Sequence, residues 1–150
     1  MEIEEQEIER RMKNFREICR NAGIKLTFQR IEVFSVIAQT GNHPDAESVY
    51  QDVRKRIPTI SLDTVYRTLW MLNDLGLVKT LGTSRERVHF DANLLQHHHF
   101  VCSKCGKMHD FHSDEFNNLK PPESVNEYGS AETAHVEIRG VCHECAAIRR

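Results

Sequence analysis

Two cysteine pairs with metal-binding spacing lie toward the C-terminal end of the chain. Cys102 and Cys105 form one pair, and Cys142 and Cys145 form the other. Two intervening residues allow a tight turn to aim both sulfurs of a pair at one ion, so the pairs predict a four-thiolate zinc site. Disulfides are the alternative, but two strained CxxC loops and an odd fifth cysteine, Cys19, make a poor framework of that kind.

A histidine triplet just upstream offers a second site of different character. His97 and His99 are two residues apart in a predicted strand, so both imidazoles leave the same face. A nitrogen-rich pair of this kind, with acids nearby, could hold a second cation. A solvated loop is the alternative, but the neighbouring cysteines and acids favour ligation.

Composition is that of an ordinary globular chain with an uneven charge distribution. Its 150 residues suffice for one domain or two small ones, and 39% are hydrophobic and 28% charged. Residues 1–9 are acidic and lack an apolar run, which argues against a signal peptide, and no segment reaches membrane-spanning length. Residues 10–90 carry 14 basic and eight acidic side chains, as contact with phosphate requires. Reduced metal-binding thiols favour the cytoplasm, and Cys19 is predicted to be a buried small apolar residue.

The elements that must position these groups begin with four predicted helices and a β-hairpin. Thr27, Asp45 and Ser61 are predicted to start the second, third and fourth helices. The predicted limits are 4–21, 27–40, 45–57 and 61–75 for the helices and 77–81 and 87–90 for the strands, which are joined by a turn at 82–84. Helices followed by a hairpin predict a winged helix-turn-helix domain over residues 1–90. A helical bundle with an appended ribbon is the alternative.

The helix after Ser61 is predicted to enter the major groove of DNA with its N-terminal end. Tyr66 can reach phosphate or thymine methyl groups, and Arg67 can donate to guanine or phosphate. Hairpin arginines could follow the backbone or enter the minor groove. The predicted DNA contacts are Ser61, Thr64, Tyr66, Arg67, Arg85 and Arg87. Each alone is typical of a solvated face, but their combination favours DNA binding.

Residues 91–150 show mainly short β-patterns in place of the preceding helical ones, and they predict a small α/β domain. Short β-runs at 100–102, 108–111 and 135–141 surround a polar helix at 114–119. These strands would bring the two cysteine pairs together, so that zinc staples a domain whose core is thin. The expected class is therefore α+β, a winged helix followed by a zinc-stapled domain.

Three motifs together resemble the ferric uptake regulator (Fur) family. They are Ser61-x2-Thr64-Val65-Tyr66-Arg67-x-Leu69, His97-His98-His99-Phe100-x-Cys102-x2-Cys105-Gly106-Lys107 and Gly140-Val141-Cys142-x2-Cys145. The likeness runs from Ile24 to Cys145. It implies a homodimeric, metal-dependent repressor whose winged helix reads palindromic operator DNA and whose C-terminal domain dimerises. It also implies that the four-cysteine zinc, one per subunit, is structural.

The resemblance further implies a regulatory metal, Fe(II) or Mn(II), one per subunit and bound between the domains. Its ligands would be His43, Asp91, His97, His99 and Asp110. Imidazole and carboxylate donors suit these ions, and five protein ligands can leave a sixth position open. An ion that bound better in the DNA-binding arrangement of the domains would convert metal occupancy into operator affinity.

Particular positions are similar to the peroxide-sensing (PerR) branch of the family. Asp110 stands where iron-uptake regulators usually have Glu, and Phe111-His112 follows it. In that branch Fe(II) reacts with peroxide, and the oxidant attacks a ligand histidine, which would be His43 or His97 here, so that DNA is released. Arg67 differs from this branch, because PerR proteins often have Asn at that position and iron regulators have Arg.

A further metal site of many iron and zinc regulators is not retained. The matching positions are Gln96, His98, Asn117 and Ala134, with His135 one residue away as a poor substitute. This loss argues against a zinc-uptake regulator.

Other functions stay open on the residues alone. An iron-responsive repressor of iron-uptake genes is the nearest alternative. A non-haem metalloenzyme could use a metal with an open position, but no general base is identified beside the ligands, and no enzymatic activity is expected. A zinc-stapled interaction module would explain the cysteines and leave the histidines and the Ser61 helix without a role.

Overall fold

Four helices and an antiparallel hairpin make up the N-terminal unit of the computed structural model, which describes residues 3–81 and 88–148. The helices are α1 (Glu5–Asn21), α2 (Phe28–Ala38), α3 (Ala46–Val53) and α4 (Leu62–Asp74), and the strands are β1 (Lys79–Leu81) and β2 (His89–Asp91). Thr27, Asp45 and Ser61 each accept a hydrogen bond from the backbone N–H three residues on. The predicted caps of α2, α3 and α4 are therefore confirmed.

Apolar side chains at helical spacing form the core of this unit. Phe15 of α1 stacks on Phe34 of α2 with ring centroids 4.5 Å apart, and α4 contributes the fully buried Leu69 and Leu72. Cys19 is buried as predicted, and burial raises the pKa of its thiol. One face of α4 is thus fixed in the core, and the opposite face is presented outward.

Several predicted limits in this unit are wrong, among them the end of α3 and the start of β1. α3 ends at Val53 rather than at Ile57, because the residue before Pro58 is disfavoured in helical backbone and the chain turns ahead of it. β1 begins at Lys79 rather than at Leu77, because Leu77 is buried in the helical core before strand pairing starts. The predicted turn at 82–84, Arg85, Arg87 and the predicted start of the second strand lie outside the described residues.

A three-stranded sheet forms the C-terminal unit, in the order β4-β3-β5. The central strand β3 (His98–Cys102) pairs antiparallel with β4 (Met108–Phe111) and parallel with β5 (Glu137–Gly140). α5 (Asp114–Asn117), a 3-10 helix (Glu123–Glu127) and α6 (His143–Ala147) complete the unit. β3 is longer and β5 shorter than predicted, and neither the 3-10 helix nor α6 was predicted. Both are single short turns, too brief to leave a periodic pattern.

The predicted α+β class is confirmed. The two compact units are Met1–Leu94 and Leu95–Arg150, so Asp91 belongs with the N-terminal unit. The assignment of residues 1–90 to DNA binding and 91–150 to metal binding and dimerisation stays a prediction. Within the described ranges, no helix combines the length and the apolar character needed to cross a bilayer.

Candidate metal centres

The four paired cysteines converge at one end of the three-stranded sheet. Cys102 ends β3, and a tight turn with a left-handed glycine at Gly106 (φ +76°) carries Cys105. Parallel pairing of β5 with β3 brings the chain to Cys142, which caps α6, and Cys145 follows one turn later. One sulfur from each cysteine lies within 4.8 Å of the other three. The predicted convergence of the two pairs is therefore present.

The spacing of these sulfurs distinguishes zinc ligation from disulfides. Cys105 Sγ and Cys142 Sγ are 3.8 Å apart, and all five cysteines are free. Zinc–sulfur bonds of about 2.3 Å at tetrahedral angles place two sulfurs about 3.8 Å apart, whereas a disulfide holds them at about 2.0 Å. The cluster suits a structural zinc ion.

Hydrogen bonds within the cluster prepare one sulfur as a thiolate and leave another protonated. The backbone N–H groups of Cys105 and Cys142 donate to Cys102 Sγ at 3.5 and 3.4 Å and lower the pKa of that thiol to about 5. Hydrogen bonding to the sulfurs of Cys142 and Cys105 raises the pKa of Cys145 to about 12. Four adjacent thiolates repel one another, so full deprotonation of the cluster requires a cation.

A second cluster of donors, here called the C-terminal ligand triad, comprises His97, His99 and Asp110. His99 of β3 lies opposite Asp110 of β4 in the antiparallel register, and His99 Nε2 is 3.4 Å from Asp110 Oδ1. His97 immediately precedes β3, and its Nε2 is 3.8 Å from the same oxygen. Both histidines are buried, and their rings are 4.7 Å apart. The predicted shared face of His97 and His99 is confirmed.

The ring orientation of His97 is set by the backbone two residues earlier. His97 Nδ1 is 2.5 Å from the carbonyl oxygen of Leu95, and a carbonyl can only accept, so Nδ1 carries the hydrogen. The Nε2 lone pair then faces Asp110. A backbone carbonyl that holds the outer nitrogen is the usual support of a metal-binding histidine.

His98 points to the other side of β3 and has a different role. It is fully buried; its Nδ1 accepts from the Val136 N–H at 3.0 Å, and its Nε2 therefore donates to Asn117 Oδ1 at 2.9 Å. Both ring nitrogens are bonded to protein. His98 thus ties β3 to α5 and to the start of β5, in keeping with the predicted loss of the further metal site.

Two donors in the N-terminal unit, here called the N-terminal ligand pair, are His43 and Asp91. His43 precedes α3, Asp91 ends β2, and both side chains are buried. His43 Nε2 is 3.4 Å from Asp91 Oδ2, while Asp91 Oδ1 accepts from the Asn93 N–H at 2.9 Å. The pair therefore presents one imidazole and one carboxylate in a fixed mutual position.

These separations fit metal ligands better than direct hydrogen bonds. Hydrogen bonds join such atoms at about 2.7 to 3.2 Å, whereas the imidazole–carboxylate distances are 3.4 Å in the N-terminal ligand pair and 3.4 and 3.8 Å in the C-terminal ligand triad. Two ligands about 2.1 Å from one ion are about 3.0 Å apart at right angles and about 3.8 Å apart at an angle of about 130°. Mixed nitrogen and oxygen donors suit Fe(II) or Mn(II).

Four of the six predicted DNA-contacting residues, Ser61, Thr64, Tyr66 and Arg67, occupy the start and the outer face of α4. The Ser61 hydroxyl accepts from the Thr64 N–H at 3.1 Å and lies 2.8 Å from the Thr64 hydroxyl, so both residues also form the helix cap. Tyr66 and Arg67 are exposed. Arg67 Nη2 is 2.5 Å from Asp63 Oδ2, one turn earlier.

One residue on this face was missed. Trp70 follows Tyr66 by one helical turn and is 43% exposed, with its ring against Phe90 of β2 at 5.8 Å. Its i+4 spacing from Tyr66 could have identified it, since both residues fall on the face opposite the buried Leu69 and Leu72. Tyr66 and Trp70 together place two partly exposed aromatic side chains on the outer face of α4.

Comparison with known proteins agrees with the donor chemistry. A sequence profile described as the ferric uptake regulator family matches residues 21–139. The peroxide-responsive repressor PerR of Staphylococcus epidermidis (strain ATCC 12228 / FDA PCI 1200) is 35% identical over 128 residues, which cover 84% of each chain.

Solved structures give the same result at the level of the fold. The Helicobacter pylori ferric uptake regulator Fur, whose structure reveals three functional metal binding sites, superposes with a TM-score of 0.74 at 26% identity over 97% of each chain. PerR from Streptococcus pyogenes, studied for peroxide sensing and gene regulation, superposes with a TM-score of 0.52 at 30% identity, over 89% of this chain and 92% of that one.

Proposed function

Because this chain belongs to the ferric uptake regulator family, we propose that it is a peroxide-responsive transcriptional repressor controlled by a regulatory Fe(II) or Mn(II) ion. Proteins of this family are transcriptional regulators rather than enzymes, which removes the metalloenzyme alternative. They bind DNA as dimers. Membership of a family of transcriptional regulators also removes the alternative of a zinc-stapled interaction module.

The regulatory ion in this proposal is bound jointly by His43, Asp91, His97, His99 and Asp110. Two histidines and one carboxylate can hold Fe(II) with open positions, but all five donors together would fill five of six positions and bind the ion more tightly than either set alone. Together the five donors leave one position for a small exchangeable ligand. An ion that required both sets would bind best in one arrangement of the units, and it would favour DNA by that difference in affinity.

The observation that carries the proposal is the triad in which half-buried Asp110 faces both of the buried histidines His97 and His99. Fe(II) held by these residues would supply the redox chemistry through which peroxide oxidises an imidazole. Overall, one peroxide oxygen would be added to a ring carbon and the other would leave as water, with peroxide as the two-electron oxidant and no net change in the iron. His43 and His97 are the expected targets. An oxidised imidazole is a poorer metal ligand and no longer lies in the position of the original ring. The ligand set that contains it would lose affinity for the ion, and the repressor would then release DNA.

On the DNA side, the proposal assigns α4 to the major groove of a palindromic operator, read by a homodimer in the cytoplasm. Exposed Tyr66 and Arg67 support this assignment, since aromatic and guanidinium groups contact thymine methyls, guanine and phosphate. Arg85 and Arg87 would add backbone or minor-groove contacts. Two copies of α4 must match the spacing of the half-sites, which is how an ion could control affinity.

The test is to load zinc-containing protein with Fe(II), add limiting peroxide and locate oxygen adducts by peptide mass spectrometry. We expect adducts on His43 or His97 with Fe(II) and none with Mn(II). His98 and His109 are internal controls: His98 neighbours the triad with both nitrogens bonded to protein, and His109 is exposed on β4. Equal oxidation of all four histidines would contradict site-directed chemistry.

An iron-responsive repressor is the second candidate, favoured by Arg67 where PerR proteins often have Asn. It uses the same ligand sets but releases DNA when iron leaves. Protein that holds Fe(II), shows no histidine oxidation after peroxide and binds operator only with metal present would identify this alternative.

A further inference from the structure

The backbone of His43 adopts a conformation that L-residues rarely occupy. Its φ is +33°, and it is the non-glycine residue with positive φ in the described part of the chain. Pro44 follows it and narrows the allowed backbone further, because the proline ring crowds the preceding residue. Such a conformation persists only where the surrounding structure imposes it.

Strand β2 supplies the contacts that impose it. His89 Nδ1 lies 2.6 Å from the carbonyl oxygen of His43, and because that oxygen can only accept, the imidazole N–H donates. The Phe90 N–H donates to the Pro44 carbonyl at 2.9 Å, and Asp45 forms a β-bridge with His89. The side chain of His89 is the group among these that bonds to His43 itself.

The same strand also carries the carboxylate that faces His43. Asp91 follows His89 by two residues, so both side chains leave the same face of β2. The carboxylate of Asp91 lies 3.4 Å from His43 Nε2, and the imidazole of His89 is hydrogen-bonded to the His43 carbonyl. The strand thus fixes both ends of the His43 residue, its carbonyl and its ring.

We propose that His89 is a positioning residue of the regulatory metal site, which holds His43 beside Asp91 before an ion binds. This inference rests on the proposed function, because it takes His43 and Asp91 as ligands. Without the His89 bond, the main chain of His43 would relax toward an ordinary φ, and the imidazole would move away from Asp91. Metal binding would then have to restore the strained conformation, and affinity would fall.

A matched pair of variants separates this bond from the bulk of the side chain. His89→Asn places an amide N–H at the same distance from Cβ as Nδ1, and His89→Leu has the same branching without a donor. Mn(II) affinity would be measured by competition with a chelating dye, with zinc content determined in the same samples. We expect about tenfold weaker Mn(II) binding for His89→Leu, near-parental binding for His89→Asn, and unchanged zinc in both. Equal Mn(II) affinity in the Leu and Asn variants would overturn the proposal.

The route of the effect is tested in a His43→Ala background. If His89 acts through His43, His89→Leu should not weaken Mn(II) binding further there, whereas an undiminished loss would overturn the proposal. If His89→Leu does not fold, His89→Gln takes its place, because its amide lies one carbon farther out. Binding by the Gln variant equal to that of the Asn variant would then count against a role for Nδ1.

A metal-free measurement separates this inference from the proposed function. Amide hydrogen exchange of Phe90, whose N–H is bonded to Pro44, would be followed by NMR in zinc-loaded protein without Mn(II). We expect faster exchange in His89→Leu than in His89→Asn, and equal rates would overturn the positioning role. If the parent protein bound no Mn(II) at all, the proposed function would fail, and this readout would still decide whether His89 holds the segment.

Discussion

Removing zinc from the four-cysteine cluster is expected to unfold the C-terminal unit and to leave the N-terminal helices folded. The reason is the distribution of the apolar core. Among the described residues of the C-terminal unit, Val101 and Cys102 are the buried apolar side chains, whereas the N-terminal unit buries a large cluster contributed by α1, α2, α3 and α4. A strong zinc chelator should therefore act on one unit and spare the other.

The free energies involved favour unfolding of the C-terminal unit once zinc is removed. Two buried side chains of this size contribute about 3 to 6 kcal/mol in total, while a structural zinc ion in a small thiolate site contributes about 10 to 16 kcal/mol at neutral pH. Fixing the backbone costs about 1 to 2 kcal/mol for each ordered residue. Ordering the residues of the three-stranded sheet alone therefore costs more free energy than the burial of two apolar side chains supplies.

Hydrogen exchange read by mass spectrometry would follow both units in one experiment. Protection in β3 and β4 should disappear when zinc is chelated and return when zinc is restored, and protection in α2 and α4 should persist. Cys145→Ser should mimic chelation. Cys19→Ala is the matched control, because Cys19 is buried in the N-terminal unit and remote in sequence from the cluster, so this variant should retain its zinc.

Persistent protection of β3 and β4 in protein shown to contain no zinc would refute this reasoning. It would mean that packing alone, including surface covered in a dimer, suffices to hold the sheet. Loss of protection in α2 and α4 as well would mean that the two units do not fold independently.

Three other predictions concern the DNA surface, the regulatory site and the stability of α1. Arg67→Ala should weaken operator binding by about 1 to 3 kcal/mol in a mobility-shift titration; Asp63→Asn, which only removes the partner of Arg67, should not weaken it, and an unchanged Arg67→Ala affinity would remove Arg67 from the interface. Asp110→Glu should keep Mn(II)-dependent DNA binding yet reduce histidine oxidation by peroxide, because the longer side chain displaces the carboxylate from His99; equal oxidation in both proteins would contradict this. Glu7→Gln should lower the free energy of unfolding in urea by about 1 kcal/mol at pH 7. Hydrogen bonding to Arg10 lowers the pKa of Glu7 from 4.5 to about 2, so this contribution is complete above pH 4.5 and should vanish as the pH falls through about 2.

Local patterns in the sequence were sufficient for the elements of the N-terminal unit and for the chemistry of the donors. Thr27, Asp45 and Ser61 cap their helices as predicted, because a cap requires only a side-chain oxygen and an N–H three residues on. The two CxxC pairs predict a common thiolate cluster for a similar reason, since each pair is closed by its own turn. Interactions within a few residues can be read from the order of the chain.

Tertiary structure decided which distant residues meet and in what orientation. Parallel pairing of β5 with β3 brings Cys142 to Cys102, and the register of β3 with β4 sets Asp110 opposite His99. Pairing of β3 with β5 joins distant segments and depends on the packing of the whole unit, whereas the register of β3 with β4 also depends on their short connection. The positive φ of His43 and its bond from His89 arise in the same way, because a strained residue is held by partners far along the chain. The sequence by itself determined the kinds of donor and the helices that display them, and the fold decided their geometry.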